Sequence, residues 1–372
     1  MEASSRLEAS STSGRELLAA AGVLFPDEHG RVLVVRLPYD RKHPVAIPGG
    51  GWEPTDRSPR ATALREIAEE LGFTPRLGPL ACLDWTIDDH RPPVAAHLYW
   101  AEPIGAQQAA AIRADAAEVG GWVWLSPEAA GHALPPRLSR RVTACLRAPR
   151  TAGPLELEDG WPAGHTLEHL PAAPPPPEYT GAAGIPELQG HGEPDPAPPL
   201  DRAAFIASRP RIRAKARTVF TDAAGRVLLV RLKPWDGPRG LVPYWTLPGG
   251  GIEADRELPR AAARREVREE LGWEVEPGRL LALDWLPSSA ADPAVDRDDA
   301  VLVYVYDGGT VTDRMLATIV LAEDELVDWR LCEPAEARAV LSAPSWARTA
   351  AALAAREHGG GPLELVDGRP VG

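Results

Sequence analysis

The chain contains one long internal repeat. The stretch LPGGGIEADRELPRAAARREVREELGW at 247–273 has a near-double, IPGGGWEPTDRSPRATALREIAEELGF, at 47–73. Shorter matches flank both copies: GRVLVVRL at 30–37 returns as GRVLLVRL at 225–232, LDW at 83–85 returns at 283–285, and GPLELEDG at 153–160 returns as GPLELVDG at 361–368. Because each copy has a similar beginning and end, the repeat predicts two domains of one fold.

Length and composition agree with two domains. The chain has 372 residues and an apolar fraction of 44%, which is ordinary for a protein that buries a core. The stretches PAAPPPPEYT and GEPDPAPPL predict a semi-stiff linker, since proline lacks an amide donor and favours extended backbone. We therefore expect a disordered N-terminus over 1–13, a first domain over 14–164, a Pro-rich linker over 165–205 and a second domain over 206–372.

Within each copy, short strands alternate with amphipathic helices. RVLVVRL at 31–37 and VLVYVYD at 301–307 are typical of buried strands. The glutamate-rich segment of the first copy has apolar residues every four positions, Ser58 as a candidate N-cap, Pro59 at the first helical position and Gly72 as a stop. This mixture predicts α/β sandwiches.

Three carboxylates crowd one turn of the predicted helix, at positions i, i+3 and i+4. They are Glu66, Glu69 and Glu70 in the first copy, and Glu266, Glu269 and Glu270 in the second. Hard divalent cations such as Mg²⁺ bind carboxylate and carbonyl oxygens, commonly together with substrate phosphates. Glycines before the helix allow the backbone to approach a metal or phosphate closely. The pattern favours a metal site.

A solvated helix is the alternative for the second-copy segment REVREE, because its glutamates have arginines as neighbours. The wider pattern argues against that reading. Gly251, Glu257, Arg265 and Gly272 form with the glutamates a loop-helix pattern of many fixed positions, and chance agreement over such a length is improbable.

From Gly251 to Trp273 the second copy resembles the Nudix box, G-x5-E-x7-R-E-U-x-E-E-x-G-U with U apolar, at every position. The resemblance implies a tandem of two Nudix-like α/β/α sandwich domains with mixed sheets, joined by the Pro-rich linker. It also implies hydrolysis, dependent on Mg²⁺ or Mn²⁺, of a nucleoside diphosphate linked to another moiety.

The resemblance also implies roles for individual residues. Glu266 and Glu270 are expected to bind metal, together with the carbonyl of Gly250, and Glu269 is expected to bind metal or orient the attacking water. Arg265 would pair with Glu257 and hold the loop against the helix. The corresponding ligands of the first copy are Glu66, Glu69, Glu70 and Gly50. A further carboxylate from a later loop would be Glu118 or Glu325, both of which could equally be surface residues.

The first copy departs from the box at one position. Arg57 stands where the second copy has Glu257, so it would face Arg65 with like charge unless Asp56 or Glu53 replaces the missing partner. We therefore expect a first site that binds metal but is weakened or regulatory, with the main site in the second copy. On this view, replacing Arg57 by glutamate raises the activity of the first site.

Charge and cysteine content exclude several classes of function. A net charge of −13 repels a phosphate backbone, so long nucleic acid is not an expected partner. The N-terminus lacks the basic start of a signal peptide, and no apolar run approaches membrane-spanning length. Three cysteines far apart in sequence make neither a disulfide framework nor a C-x-x-C zinc site. We expect a cytoplasmic protein without a membrane partner.

Three hypotheses follow. The favoured one is a tandem pyrophosphohydrolase for a small nucleotide. The second is a sensor in which one or both domains bind a nucleotide without turnover, and the third is a chain whose first copy mainly packs against the second, or which homodimerises. Neither the proline nor the tyrosine that marks some Nudix subfamilies stands convincingly at the usual distance after either box, so the substrate stays open.

Overall fold

The computed structural model describes residues 16–40, 42–88, 91–104, 106–110, 112–114, 118–149, 153–164, 177–183, 185, 188–189, 201–233, 244–294, 297–359 and 361–371. Expected disorder over 1–13 lies outside these residues, as does much of the expected linker. The described residues divide into an N-terminal unit, 18–211 with 290–293, and a C-terminal unit, 212–289 and 294–371 with residues 16 and 17.

The N-terminal unit is built on a mixed sheet. Strand β1 (Glu16–Leu24) runs parallel to β6 (Arg91–Ala101), with Ala21 opposite His97, and antiparallel to β4 (Gly49–Gly51). Strand β5 (Leu77–Asp88) joins β6 antiparallel and β8 (Leu155–Glu158) parallel, and β8 pairs with β9 (Trp161–Pro162). A second sheet has the order β3 (Val45–Ala46), β2 (Val32–Arg36), β7 (Trp122–Leu125).

Most helices of this unit begin at a proline or at a capping side chain. Helix α1 (Pro59–Leu71) has the expected Ser58 cap, whose hydroxyl accepts from the amide of Ala61, and it ends at Gly72 in the left-handed region. The others are α2 (Ala106–Ala110), α3 (Pro127–Ala133), α4 (Pro136–Arg147) and α5 (Arg202–Ser208). Helix α1 packs on β4 and α4 packs on β5, which confirms the predicted sandwich.

The C-terminal unit repeats this plan. Strand β10 (Ile212–Thr221) is parallel to β15 (Val301–Thr310), with Ala216 opposite Tyr304, and antiparallel to β13 (Gly249–Gly251). The sheet continues through β14 (Leu280–Leu286), β17 (Leu363–Val366) and β18 (Arg369–Pro370). Strand β11 (Val227–Leu232) pairs with β12 (Trp245–Thr246) and β16 (Leu326–Cys332). Its helices are α6 (Pro259–Leu271), α7 (Asp313–Leu316), α8 (Pro334–Val340) and α9 (Ala343–His358).

The repeated LDW and GPLEL motifs meet around a buried carboxylate. Asp84 is fully buried, accepts from Arg141 of α4 at 2.8 Å, and accepts from the amide of Gly160 at 2.8 Å. In the C-terminal unit Asp284 accepts from Arg348 at 2.7 Å and from the amide of Gly368 at 2.9 Å. The carboxylate thus ties a helix and a hairpin to the central strand, which gives both repeated motifs one structural role.

Part of the Pro-rich segment is ordered against the N-terminal unit. Gln189 exchanges backbone hydrogen bonds with Trp122, and the amide of Thr180 donates to the carbonyl of His132. Helix α5 begins at Arg202, before the boundary expected at 206. In the described part of the chain, no helix combines the length and the apolarity needed to cross a membrane.

The three cysteines are free thiols, and all are buried. Cys82 and Cys145, although distant in sequence, share the core of the N-terminal unit. Burial is the largest cause that raises the pKa of Cys82 well above its ordinary value.

Candidate functional site

The last glutamate of each box is bound to the glycine loop. The amide of Gly49 donates to Glu70 Oε2 at 2.8 Å, and the amide of Gly249 donates to Glu270 Oε2 at 2.6 Å. Gly49 and Gly249 have φ values of 137° and 126°, and a Cβ on either would collide with a backbone carbonyl of the neighbouring strand. Only glycine fits here, which explains the first residue of the triplet.

The first helix glutamate lies against the middle glycine of the loop. A Cβ at Gly50 would overlap the carboxylate of Glu66, and one at Gly250 would overlap that of Glu266. All four glutamates of these two pairs are buried, with Glu70 4% and Glu270 2% exposed. The loop and helix therefore form a narrow, carboxylate-lined cradle in each unit.

Burial shifts the ionisation of these carboxylates. It raises the pKa of Glu66 to about 7 and that of Glu70 to about 8, and it also raises the pKa of Glu266 and, to about 8, that of Glu270. Mutual repulsion, such as that of Glu66 on Glu70, acts in the same direction. Two buried carboxylates side by side are a site where a cation would offset the cost of burial.

The donor set fits Mg²⁺ or Mn²⁺. No three acidic, histidine or cysteine side chains among the described residues are arranged closely enough to hold a metal ion. Mg²⁺ usually keeps several waters and takes one or two carboxylates plus substrate phosphates, so it does not need a complete protein cage. In each unit two buried glutamates beside the glycine loop fit such a partial set.

The middle glutamate points elsewhere. Glu69 is 51% exposed and pairs with Arg65 at 2.9 Å, while Glu269 is 50% exposed and pairs with Arg265 at 2.8 Å. The structure thus brings the first and last glutamates to the loop and places the middle one beside an arginine at the rim.

In the C-terminal unit, Arg265 connects loop and helix as expected from the box. Its Nη2 donates to Glu257 Oε1 at 2.7 Å and to the carbonyl of Gly251 at 3.0 Å, and Glu257 Oε1 accepts from the amide of Glu253 at 2.9 Å. One carboxylate therefore fixes both the arginine and the loop backbone.

In the N-terminal unit, Asp56 makes the same contacts. Arg65 Nη2 donates to Asp56 Oδ2 at 3.0 Å and to the carbonyl of Gly51 at 3.0 Å, and Asp56 Oδ2 accepts from the amide of Glu53 at 3.0 Å. Arg57 instead pairs with Asp292 of the same unit at 2.9 Å. Of the two substitutes considered in the sequence, Asp56 is the close one, since Glu53 Oε1 lies 4.0 Å from Arg65.

The two later-loop glutamates lie near the last box glutamate. Glu118 lines a cavity together with Glu66 and Glu70, and its charge contributes to the raised pKa of Glu70. The charge of Glu325 likewise contributes to the raised pKa of Glu270. Both residues are exposed.

Two basic residues of the C-terminal unit lie near the site but were not predicted from the sequence. Lys215 and Arg217 are two positions apart on β10 and so lie on one face, and Arg217 is buried, donating to the carbonyls of Leu247 and Gly249. The charges of Glu270 and Glu266 act on the Arg217 guanidinium. In β1 the positions with the same register are Ala20 and Gly22. The alternating basic residues in RIRAKARTVF are the sequence pattern that could have indicated a basic strand face here.

Comparison with known proteins shows which family the chain resembles. The model of the NUDIX domain matches residues 16–144 and again 211–354. No curated protein sequence matches the chain significantly.

Parts of the chain are similar to several solved structures. A MutT protein from Methanosarcina mazei Go1 is 20% identical, with 39% of this chain and 94% of that chain covered and a TM-score of 0.31. An ADP-ribose pyrophosphatase from Streptococcus suis 89-1591 is 18% identical, with 41% of this chain and 97% of that chain covered and a TM-score of 0.29. A C. elegans Ap4A hydrolase is 20% identical, with 38% of this chain and 96% of that chain covered and a TM-score of 0.27. At these scores the likeness gives no substrate. The two domain matches show that the chain belongs to the Nudix hydrolases, the family that cleaves phosphoric anhydrides, and that it carries two NUDIX domains.

Proposed function

We propose that the chain is a metal-dependent pyrophosphohydrolase that cleaves a nucleoside diphosphate linked to another moiety, with its main site in the C-terminal unit. The observation that carries the proposal is the pair of buried carboxylates, Glu266 and Glu270, held against the glycine loop. Such a pair is costly to bury alone and is suited to a divalent cation shared with a diphosphate.

In this proposal Glu266, Glu270 and the carbonyl of Gly250 hold Mg²⁺ or Mn²⁺. When bound, the cation neutralises diphosphate oxygens and lowers the pKa of a coordinated water. Arg265 fixes these ligands, because it contacts Glu257, the carbonyl of Gly251 and Glu266 at once. Fixed ligands cost no reorganisation during the reaction.

Glu269 is suited to a different task. Its carboxylate is at the rim, half exposed, and Arg265 holds it at 2.8 Å. A carboxylate in this position can accept a proton from the attacking water or orient that water toward phosphorus. Glu325, whose charge reaches Glu270, is the proposed further ligand from the later loop.

The cations of β10 favour the C-terminal unit as the main site. Lys215 and Arg217 supply positive charge on the strand that pairs with the glycine loop, where a diphosphate would lie. The N-terminal unit has the neutral Ala20 and Gly22 at these positions. Its buried glutamates Glu66 and Glu70, with Glu118 from the later loop, form the second metal site of the proposal, with slower turnover, and Glu69 corresponds to Glu269 at the rim. Three free, buried thiols suit a reducing compartment, and we propose the cytoplasm.

Turnover of a nucleotide panel tests the proposal. The panel contains ADP-ribose, nucleoside triphosphates, dinucleoside polyphosphates and nucleotide sugars, each assayed with Mg²⁺, with Mn²⁺ and with EDTA. We expect hydrolysis of at least one member that EDTA abolishes and that a Glu70→Gln/Glu270→Gln double variant lacks. Equal turnover by the wild type and the double variant would contradict the metal-site assignment, and no turnover of any member would favour a nucleotide sensor.

A further inference from the structure

A helix from outside both matched NUDIX stretches lies beside the N-terminal site. The N-cap residue of helix α5 is Asp201, whose carboxylate accepts from the amides of Ala203 and Ala204 at 3.1 Å. At its other end Arg211 donates to the carbonyls of Ile206 and Arg209, each at 3.2 Å. The helix is therefore capped at both ends by side chains of its own segment.

Arg209 extends from this helix to the glycine loop. Its guanidinium lies over the ring of Phe205, 4.2 Å from the ring centroid. A Cβ built on Gly51 would be only 3.2 Å from Arg209 Nη1, so the guanidinium rests against the last residue of the glycine triplet. The positive charge of Arg209 also acts on Glu66.

The helix forms one wall of a cavity of about 620 Å³. The lining of this cavity includes the glycine triplet, Glu66 and Glu70, together with Phe205 and Ile206 of α5 and its C-cap residue Arg209. A space of this size is in the range of small-ligand sites. Phe205 offers an apolar ring that is 39% exposed, and Arg209 offers a cation at the loop.

We propose that Arg209 is a phosphate-binding residue of the N-terminal site, and that Phe205 packs against the nucleoside of the same ligand. The proposal rests on the proposed function only for the ligand class, a nucleoside diphosphate. Helix α5 then supplies from outside the NUDIX domain the positive charge that β10 supplies inside the C-terminal unit through Lys215 and Arg217. A guanidinium has planar N–H donors that match phosphate oxygens, and it can donate them while its face is stacked on an aromatic ring.

Calorimetric binding to the full-length chain tests the proposal. The parent carries Glu266→Gln and Glu270→Gln, which removes the buried carboxylates of the C-terminal site. The probe is α,β-methylene-ADP with Mg²⁺, whose bridging carbon resists hydrolysis. We expect Arg209→Gln to weaken binding about 10-fold or more, because hydrogen bonds between a guanidinium and a phosphate are among the strong ones in proteins. Arg209→Lys should recover part of the loss, and Arg31→Gln, a surface change outside this cavity, should leave the affinity unchanged.

Binding of Mn²⁺ alone separates a phosphate contact from a structural role. Without the positive charge of Arg209 beside Glu66, a metal ion at Glu66 is repelled less. The Arg209→Gln variant should therefore bind Mn²⁺ as tightly as the parent or more tightly, while it binds the nucleotide more weakly. Phe205→Leu should weaken the nucleotide more than inorganic pyrophosphate. Weaker binding of both Mn²⁺ and nucleotide in Arg209→Gln would make Arg209 structural and overturn the proposal, as would unchanged nucleotide affinity or a parent that does not bind the probe.

The outcome is independent of the turnover panel. A chain that binds the probe through Arg209 but hydrolyses no panel member retains this site and loses the proposed function. A chain that hydrolyses a panel member while Arg209→Gln binds the probe normally retains the function and loses this site.

Discussion

The two units build the same loop support from residues in exchanged order. The N-terminal unit has Asp56 followed by Arg57, and the C-terminal unit has Arg256 followed by Glu257. In each pair the acid binds the box arginine and a loop amide, while the arginine is largely exposed, 57% for Arg57 and 75% for Arg256. A shorter acid placed one residue earlier reaches the same atoms.

Because both units keep a carboxylate partner for the box arginine, the main difference between them lies in the basic residues around the cradle. The substitution at position 57 leaves the carboxylate-lined cradle intact, because Arg65 keeps a carboxylate partner. The basic residues around the cradle differ instead: Lys215 and Arg217 lie on the first strand of the C-terminal unit, whereas Arg209 reaches the N-terminal cradle from helix α5. The units therefore differ less in metal support than in how they could hold phosphate.

The largest expected effect separates the two sites by their last glutamate. Glu270→Gln should lower turnover of the best panel substrate by more than about 100-fold, since loss of an outer-shell partner alone costs about 10- to 100-fold. Glu70→Gln should remove the smaller remainder. Steady-state kinetics with Mg²⁺ on both full-length variants gives the split, and a reversed ranking would assign the main site to the N-terminal unit.

Lys215 should give the C-terminal site a distinctive pH dependence. Burial, aided by the charge of Arg217, lowers the pKa of Lys215 to about 8, so the side chain is cationic below this pH and neutral above it. We expect kcat/KM of the wild type to fall as the pH rises through about 8, because phosphate binding loses a positive charge. Lys215→Met should lower kcat/KM about 10-fold at pH 7 and lack this alkaline fall.

The control for Lys215→Met is Ala20→Ser in the N-terminal unit, which changes the position with the same register without altering charge. This variant should keep the alkaline fall. An unchanged pH profile in Lys215→Met would show that another group titrates, and would weaken the contrast between β1 and β10.

How far the sequence predicts these features depends on the range of the contacts. Ser58, Pro59 and Gly72 predicted the limits of α1 because caps are local interactions. The box predicted Glu257 with Arg265, and the neighbouring sequence offered Asp56 as one of two replacements for the partner of Arg65. Its choice over Glu53 depends on where the loop backbone directs each side chain, which the spacing alone does not give.

Longer-range features were beyond the pattern. The contact of Arg209 with Gly51 joins residues far apart in sequence, and the surrounding prolines favoured a linker without packed structure. Cys82 and Cys145 likewise meet only because β5 and α4 pack together. The role of Lys215 and Arg217 was missed because alternating basic residues are equally typical of a solvated strand face.

Arg57 should have little influence on the N-terminal site. Arg57→Glu, which the sequence alone predicts to be activating, is expected to change turnover by Glu270→Gln chains by less than about 2-fold, since exposed substitutions are usually within about 0.5 kcal/mol. Arg256→Glu is the matched change in the C-terminal unit. A rise of about 10-fold in Arg57→Glu would show that Asp56 supports Arg65 incompletely.

A separate effect, on stability and not on turnover, is expected at acid pH. Burial lowers the pKa of His97 from 6.5 to about 4, whereas the C-terminal unit has Tyr304 at the same register. Between pH 6.5 and 4 the imidazole of His97 is protonated in the unfolded state but neutral in the folded state. The free energy of unfolding therefore falls as the pH drops through this range, by at most about 1.4 kcal/mol per pH unit. Urea unfolding followed by hydrogen exchange in β6 and β15 should show this fall in β6, and less of it in His97→Gln.

The most direct test of the shared support is Mn²⁺ binding to the full-length chain, followed by electron paramagnetic resonance. The wild type should bind Mn²⁺ in both units. Asp56→Asn should weaken one class of sites and Glu257→Gln the other, each by about 10- to 100-fold, and the double variant should weaken both. If Asp56→Asn leaves every Mn²⁺ affinity unchanged while Glu257→Gln lowers one, Asp56 does not do in the N-terminal unit what Glu257 does in the C-terminal unit.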